Sequence, residues 1–547
     1  MRIVIIGAVA AGTSAAAKAR RNSENADIVI YEKDSFISYA GCGMPYYIGG
    51  EVEDAEVLIP RNPQFFKSKY NVDIKLLHEV IEIQPGDKTI KVKDLNTGLV
   101  FSDTFDKLII ATGASAIIPP IKGADYDHVF SLRNIGDMKQ IKSFINDKKP
   151  VTAAIVGSGF IGLEMCENLK RLGMDVTIIE KLPQVTPGLD KDMAVYVEEQ
   201  LNKNNINVWT GVSAVEIGNN TVILSDGKTI LADLVLLSTG VRPNTSLAVR
   251  AGIEIGIAGA IKVNRRMETN ITDIYACGDC IEHYNLITGK NVYRPLGSTA
   301  NKTGRIAGDN VTDGKLEFRG ILGTGIFKVF DLAVAQTGLS ESEALEQGYE
   351  VIVCHNIKPN KAEYMGGKEL VMKGIADKTS GRLLGAQIVG IEGVDKRIDV
   401  FVTALTFKAK VEDLFHLDLA YAPPFSTTKD PVMYTGMILD NAINNGRATI
   451  TASQLNDIMN SGQQYTLIDA RATVQYDKEH VKGAKNIPHE KLRESLNTLN
   501  QDTITITYCN KGVTGNAAQN ILLNNGFNEV YSLSGGYKQF KKSKEIL

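Results

Sequence analysis

The sequence predicts an α/β protein of several domains, built on a strand–turn–helix–strand unit that occurs twice. Three observations carry this. An apolar run, a glycine-rich turn, a helical stretch, a second apolar run and a closing acid occupy residues 2–32, and the same order returns at residues 151–180, about 150 residues later. Beyond about residue 325 the pattern changes to alternating β-rich runs, which reads as a separate α+β domain reaching about residue 440. Short apolar strands between helical segments then start afresh over about the last hundred residues, as an independent α/β domain. A length of 547 residues agrees with this, since roughly 150 residues per domain gives three to four domains.

The first unit runs from the apolar Arg2–Ile6 through the turn Gly7–Gly12 and an alanine-rich helix to Asp27–Tyr31, ending at Glu32. The second runs from Val151–Val156 through Gly157–Gly162 and a helix reaching Arg171 to Asp175–Ile179, ending at Glu180. A further strand with a terminal glycine closes each copy, KLIIATG at Lys107–Gly113 and DLVLLSTG at Asp233–Gly240. ITDIYACGD follows at Ile271–Asp279, and β-rich runs such as Gly325–Val329 and Ala386–Val389 come after it. The polar, turn-rich Asn441–Arg447 reads as a linker. LIDA and TITITYC mark strands of the last domain.

Composition excludes several classes. Hydrophobic residues make up 44% and charged residues 22%, which rules out wholesale disorder. A net charge of −3 lacks the basic excess of a nucleic-acid binder. Six scattered cysteines do not make a disulfide framework, so free thiols in a reducing compartment are expected. No apolar run approaches the roughly 18 residues of a membrane span. The N-terminal stretch superficially resembles a signal peptide, but its basic cluster follows the apolar run, so a cytoplasmic protein without an export signal is expected.

Glycines in such a turn let the backbone approach a pyrophosphate, and the following helix offers free N–H groups and the positive end of its dipole. Gly157-Ser-Gly159-Phe-Ile-Gly162 is complete, whereas Gly7-Ala-Val9-Ala-Ala-Gly12 carries Val9 at the middle position. Glu32 and Glu180 stand where a carboxylate accepts ribose hydroxyls, and at the second site this favours NADH over a 2′-phosphorylated nucleotide. Cys277-Gly-Asp-Cys280 lacks the second pair of a zinc site, so no metal is expected; Cys166 and Cys354 read as core residues.

Two nucleotide turns, ATG, STGVRPN and TDIYACGD together resemble the FAD-dependent pyridine nucleotide-disulfide oxidoreductases over about residues 1–440. The resemblance implies two Rossmann-like dinucleotide-binding domains: FAD-binding at 1–113 and 247–325, and NAD(P)H-binding at 114–246. An α+β dimerisation domain at 326–440 and a linker at 441–451 follow. It assigns Gly7, Ala8, Val9, Ala10, Ala11, Gly12, Glu32, Lys33, Ala111, Thr112, Gly113, Gly278 and Asp279 to FAD, with Asp279 on the ribityl chain. Gly157, Gly159, Phe160, Ile161, Gly162, Glu180 and Gly240 fall to NAD(P)H.

Cys42, in SYAGCGMPYY, follows the first unit; the position five residues on, where the family's disulfide reductases usually carry a second cysteine, holds Tyr47. A lone thiol must find its oxidised partner outside the chain, as a mixed disulfide with a small thiol or as a sulfenic acid. Single-cysteine NADH oxidases and peroxidases carry a His in the first turn, where this chain has Ala10. Coenzyme A-disulfide reductases lack that His and place two tyrosines near the thiol; Tyr364 and Tyr421 resemble that pair. Coenzyme A carries several phosphates and needs cations, for which Arg20, Arg21, Arg61, Lys69 and Lys429 are candidates; by resemblance Ser14, Lys18, Ser38 and Asn301 also fall at CoA contacts.

The last domain resembles a rhodanese over residues 452–547, through Leu467-Ile-Asp-Ala-Arg471, Tyr476, His480, the segment 483–488 and Tyr508-Cys509-Asn-Lys-Gly-Val-Thr514. Rhodaneses hold a cysteine persulfide in such a loop, here at Cys509, with Lys511 as the loop's only cation. Together the resemblances imply an NAD(P)H- and FAD-dependent homodimeric enzyme. It would reduce CoA disulfide, CoA persulfide or polysulfide through Cys42, with Cys509 carrying sulfane sulfur. A Cys42 sulfenate oxidase or peroxidase, and a persulfide carrier or redox sensor, remain as alternatives.

Overall fold

The computed structural model describes residues 1–544. The chain forms two compact units, one of residues 1–181 and 206–321, the other of 182–205 and 322–547.

In the first unit, strand Arg2–Ile6 is flanked in parallel by Asp27–Glu32 on one side and Lys107–Ile110 on the other. Asp73–Leu76 and Ile274–Ala276 extend the sheet to five strands. The near-continuous apolar runs of these strands suit a parallel sheet covered on both faces, and Ile3, Ile5, Ile28, Ile30 and Leu108 are all buried. A second five-stranded parallel sheet repeats the plan, with Thr152–Val156 between Asp175–Glu180 and Leu234–Leu237 and with Asn207–Thr210 and Val129–Phe130 at its edges.

Helix Ala10–Asn22 lies against helix Gly297–Asn310 at unusually close range. A Cβ at Gly304 or Gly308 would collide with the backbone of Ala11 or Ala15, so glycine there sets the helix spacing.

The second unit begins with helix Lys191–Lys203. The expectation of one continuous nucleotide domain over 114–246 is corrected here, because this segment groups with the dimerisation sheet. The reason is a buried ionic network: the fully buried Lys373 ammonium meets Asp190 at 3.2 Å, Asp192 at 2.9 Å and Glu341 at 2.6 Å. A buried charge needs such partners to be tolerated. The sheet itself is antiparallel, in the order Gly325–Val329, Leu332–Gly338, Leu383–Gly390, Glu369–Asp377, Val351–Pro359.

The linker expected at 441–451 is shorter than its polar composition suggests. Helix Pro431–Asn444 runs through the Asn-rich stretch because Leu439 is buried and the asparagines occupy the outer face. Thr449–Ile450 already pairs with Val530–Leu533, and Thr451 caps the next helix through a capping box, leaving residues 445–448 as the connection. The last sheet is parallel, in the order Thr449–Ile450, Val530–Leu533, Ile504–Tyr508, Tyr465–Asp469, Lys485–Asn486. Residues 545–547, within the expected rhodanese range, lie outside the described residues. No described helix is long and apolar enough to cross a membrane.

Candidate active site

The two glycine turns share one geometry. Gly7 and Gly157 have φ of +103° and +104°, and their N–H groups donate to the carbonyls of Tyr31 and Ile179 at 2.9 and 2.8 Å. A Cβ at either would strike a carbonyl of the neighbouring strand's end, Ala111 or Ser238, so glycine is required for sterics as well as for φ. The turns differ at their middle position. Nothing lies within 4 Å of a Cβ placed on Gly159, which leaves room for a phosphate at the start of helix Phe160–Arg171. Val9, half-buried, stands at that position in the first turn.

Each closing acid is buried and tied back to its turn. Ala8 N–H donates to Glu32 Oε2 at 2.7 Å and Asp34 N–H to Oε1 at 2.9 Å. Burial raises the Glu32 pKa above the ordinary carboxylate value, and these N–H groups pull it back. Ser158 donates to Glu180 Oε2 through its N–H at 2.9 Å and its hydroxyl at 2.6 Å. Lys33 is exposed beside Glu32.

Asp279 supplies the test for a flavin. It sits in the turn Gly278–Cys280, and Gly278 packs against Ala11 of the first nucleotide helix. Oδ2 accepts from Arg133 at 2.7 Å, while Oδ1 is buried without a partner. An orphaned acceptor is costly, and a polyhydroxyl chain would supply the missing donor. Thr112 donates to the Asn244 carbonyl at 2.6 Å, fixing the ATG loop beside it. These residues fit FAD.

Cys42 lies in the turn Gly41–Gly43, ahead of the short helix Met44–Ile48. Among the described residues all six cysteines are free, and Cys42 alone is exposed. Ser38 N–H donates to the Ala8 carbonyl at 3.0 Å, anchoring this loop to the first nucleotide turn. Burial and then the Glu164 carboxylate push the Cys42 pKa up, and Arg133 works against them. Glu164 lies two residues past Gly162, and burial and the neighbouring Glu167 push its own pKa up to about 7. A carboxylate from the helix after the second turn thus acts on a thiol whose loop is tied to the first turn.

A cleft of about 520 Å³ adjoins the cysteine loop. Ser14, Arg21, Ser38, Arg61 and Asn301 line it, together with Tyr39, Tyr70 and Arg305. Ser14 donates to Asn301 at 2.7 Å across the helix pair. Lys18 instead pairs with Asp309 at 3.0 Å, and Lys69 lies over the Phe65 and Tyr70 rings. Arg20 is corrected outright. It is 4% exposed, with its guanidinium donating to the carbonyls of Tyr70, Asn71, Ser23 and Glu24, so four of its five N–H donors are spent inside the fold and burial keeps it from a phosphate. Sequence reasoning missed Arg133, Glu164 and Arg305; only Arg305 left a signal, one helical turn past Asn301.

In the second unit Tyr421 and Tyr364 are 48% and 77% exposed, and Lys429 is exposed. Cys509 follows strand Ile504–Tyr508 and precedes helix Val513–Leu523; it is buried, and Gly512 N–H donates to its sulfur at 3.2 Å. Lys511 pairs with Glu369 at 2.6 Å. Asp469 holds Arg471 through two nitrogens, and Arg471 lies over Tyr537 at 4.5 Å, bracing the loop's surroundings.

Two dinucleotide turns whose elements meet near one exposed thiol define a nucleotide-dependent redox enzyme. The pyridine nucleotide-disulphide oxidoreductase family matches residues 1–295, its dimerisation domain 325–431, and a rhodanese-like domain 451–543. The chain belongs to the pyridine nucleotide-disulphide oxidoreductases, an FAD- and NAD(P)H-using family, and carries a rhodanese-like domain. The NAD(P)H sulfur oxidoreductase (CoA-dependent) of Pyrococcus furiosus is 38% identical over 445 residues, which cover 80% of this chain and 99% of that protein. The crystal structure of reduced Bacillus anthracis CoADR-RHD is 36% identical with a TM-score of 0.97, covering 100% of this chain and 98% of that one. The NAD-dependent persulfide reductase from A. fulgidus is 35% identical with a TM-score of 0.91, covering 99% and 100%.

Proposed function

We propose that the protein uses NAD(P)H to reduce CoA disulfide, CoA persulfide or polysulfide at Cys42, and that Cys509 carries sulfane sulfur. The observation that carries this is an exposed, unpaired Cys42 two residues past Ala40, which lines a cation-rimmed cleft of about 520 Å³. The names of similar proteins point the same way.

FAD held by Gly7, Gly12, Glu32 and Asp279 would take a hydride from NAD(P)H and pass an electron pair to a disulfide. Gly157, Gly159, Gly162 and Glu180 would bind the nucleotide, the Glu180 carboxylate favouring NADH. Arg21, Arg61 and Arg305 would hold CoA phosphates as charge-assisted pairs, with Ser14, Ser38 and Asn301 bonding the remaining polar groups.

The resting form is a Cys42–S–S–CoA mixed disulfide. An electron pair breaks its S–S bond, giving two thiolates, and the CoA thiolate leaves with a proton. The Cys42 thiolate then attacks the next CoA disulfide, regenerating the mixed disulfide and expelling a second CoA thiolate. With CoA persulfide it attacks the CoA-bearing sulfur and expels hydrosulfide. Tyr421 and Tyr364 would donate hydrogen bonds to the leaving thiolate from the partner subunit of a cytoplasmic homodimer. Arg133 would offset part of the Glu164 effect on the Cys42 thiolate.

Intact-mass analysis of the native protein tests this reading. A CoA adduct on Cys42, released by NADH, is expected. Hydrogen peroxide turnover without any thiol, with Cys42 as a sulfenic acid, would replace it with the oxidase or peroxidase reading.

A further inference from the structure

The loop around Cys509 has one cation of its own, and Glu369 occupies it. Glu369 takes Lys511 on one carboxylate oxygen at 2.6 Å and Lys538 on the other. Glu369 opens its strand opposite Pro359, in a register that sets the next residue, Leu370, opposite Lys358. Lys358 therefore stands at the same end of the dimerisation sheet. Its pKa is lowered by burial and by the charge of Lys511, raised by the Cys509 sulfur and lowered again by Lys429, so Lys358 feels all three.

The Lys358 and Lys429 ammonium nitrogens lie 4.2 and 5.9 Å from the centre of the Tyr434 ring. Among the described residues neither lysine has a carboxylate partner. Asp430, next to Lys429, is buried and committed to Arg397 at 2.9 Å and Ser426 at 2.7 Å. Four lysines thus face one carboxylate, beside a sulfur that already has its own N–H donor. Like charges held this close repel, and an anion relieves them.

We propose that Lys358, Lys429 and Lys511, with the ring of Tyr434, form an anion site beside Cys509 that selects a phosphate-bearing thiol as acceptor of the sulfane sulfur. The site rests on the reading of Cys509 as a sulfane carrier. Its charge extends along the tyrosine toward the exposed Lys429 instead of gathering at the sulfur. That matches an extended polyanion whose thiol arm reaches Cys509, and not a compact sulfur anion. The missing cations of the rhodanese loop come from a different domain.

The acceptor thiolate attacks the outer sulfur of Cys509–S–SH. A new S–S bond forms, the old one breaks, and its electron pair leaves on the Cys509 thiolate. The proton stays on the transferred sulfur, and no net oxidation occurs.

The full-length Cys42→Ser protein, loaded with inorganic polysulfide and desalted, isolates this step. Single-turnover transfer is measured to coenzyme A and to pantetheine, which shares the thiol arm but lacks the phosphates. Coenzyme A is expected to react at least about tenfold faster at low ionic strength, with salt narrowing the gap. Lys358→Glu closes most of that gap while changing the pantetheine rate by less than about twofold, and Lys358→Gln closes it in part. Equal wild-type rates for the two acceptors, or a Lys358→Glu loss shared equally by both, overturns the anion site. Unchanged loading in a Cys42→Ser/Cys509→Ser double variant instead overturns the sulfane-carrier reading.

Discussion

Cys42 and Cys509 are both single thiols set just ahead of a helix, and their surroundings treat them oppositely. Cys42 is exposed, and its pKa is raised by desolvation and a facing carboxylate. Cys509 is buried with a backbone N–H aimed at its sulfur. The first arrangement admits a bulky disulfide and favours staying bonded to it. The second keeps the sulfur out of solvent and gives it a backbone N–H donor. Under the proposed function the first thiol would exchange and the second would hold.

The sharpest break in this contrast is Cys42→Ser, which should lower steady-state NADH oxidation with CoA disulfide by at least about 10³-fold while flavin content stays at the wild-type level. Retained turnover would remove Cys42 from the chemistry. Cys509→Ser comes next. The ratio of polysulfide to CoA disulfide turnover should fall about tenfold, measured as sulfide release against NADH consumed. An unchanged ratio would make the buried thiol a packing residue.

Arg305→Ala sharpens the exchange side. Losing one charge-assisted phosphate contact at an exposed rim should raise KM for CoA disulfide about five- to tenfold and leave kcat within about twofold. A pure kcat effect would place Arg305 elsewhere in the reaction. The smallest effect belongs to Glu164→Gln. Glu164 ionises around pH 7, and its negative charge then holds the Cys42 pKa up. Removing that charge should shift the midpoint of Cys42 alkylation by iodoacetamide down by about half a pH unit. A midpoint that stays or rises would show that the carboxylate does not act on the thiol.

Residues whose chemistry is local were legible in the sequence. Gly7, Gly157, Gly162, Cys42 and Cys509 announce themselves because a positive φ, a close backbone approach or a thiol needs one residue type. Arg133 and Glu164 were not legible, since their effect on Cys42 depends on segments remote in sequence meeting in space. Arg20 failed for the opposite reason. In the sequence it is one more cation in a basic helix end, and only the fold reveals four carbonyls waiting for it. Composition likewise misjudged Asn441–Asn444, where a buried Leu439 outweighs the polar run and extends the helix.

The connection of residues 445–448 spans at most about 14 Å even when fully stretched. On so short a leash the rhodanese-like domain is no swinging arm. If Cys509 hands sulfur on as proposed, a small diffusible molecule would carry it, and the rate of a complete cycle should track the free concentration of that courier, not solvent viscosity acting on a moving domain.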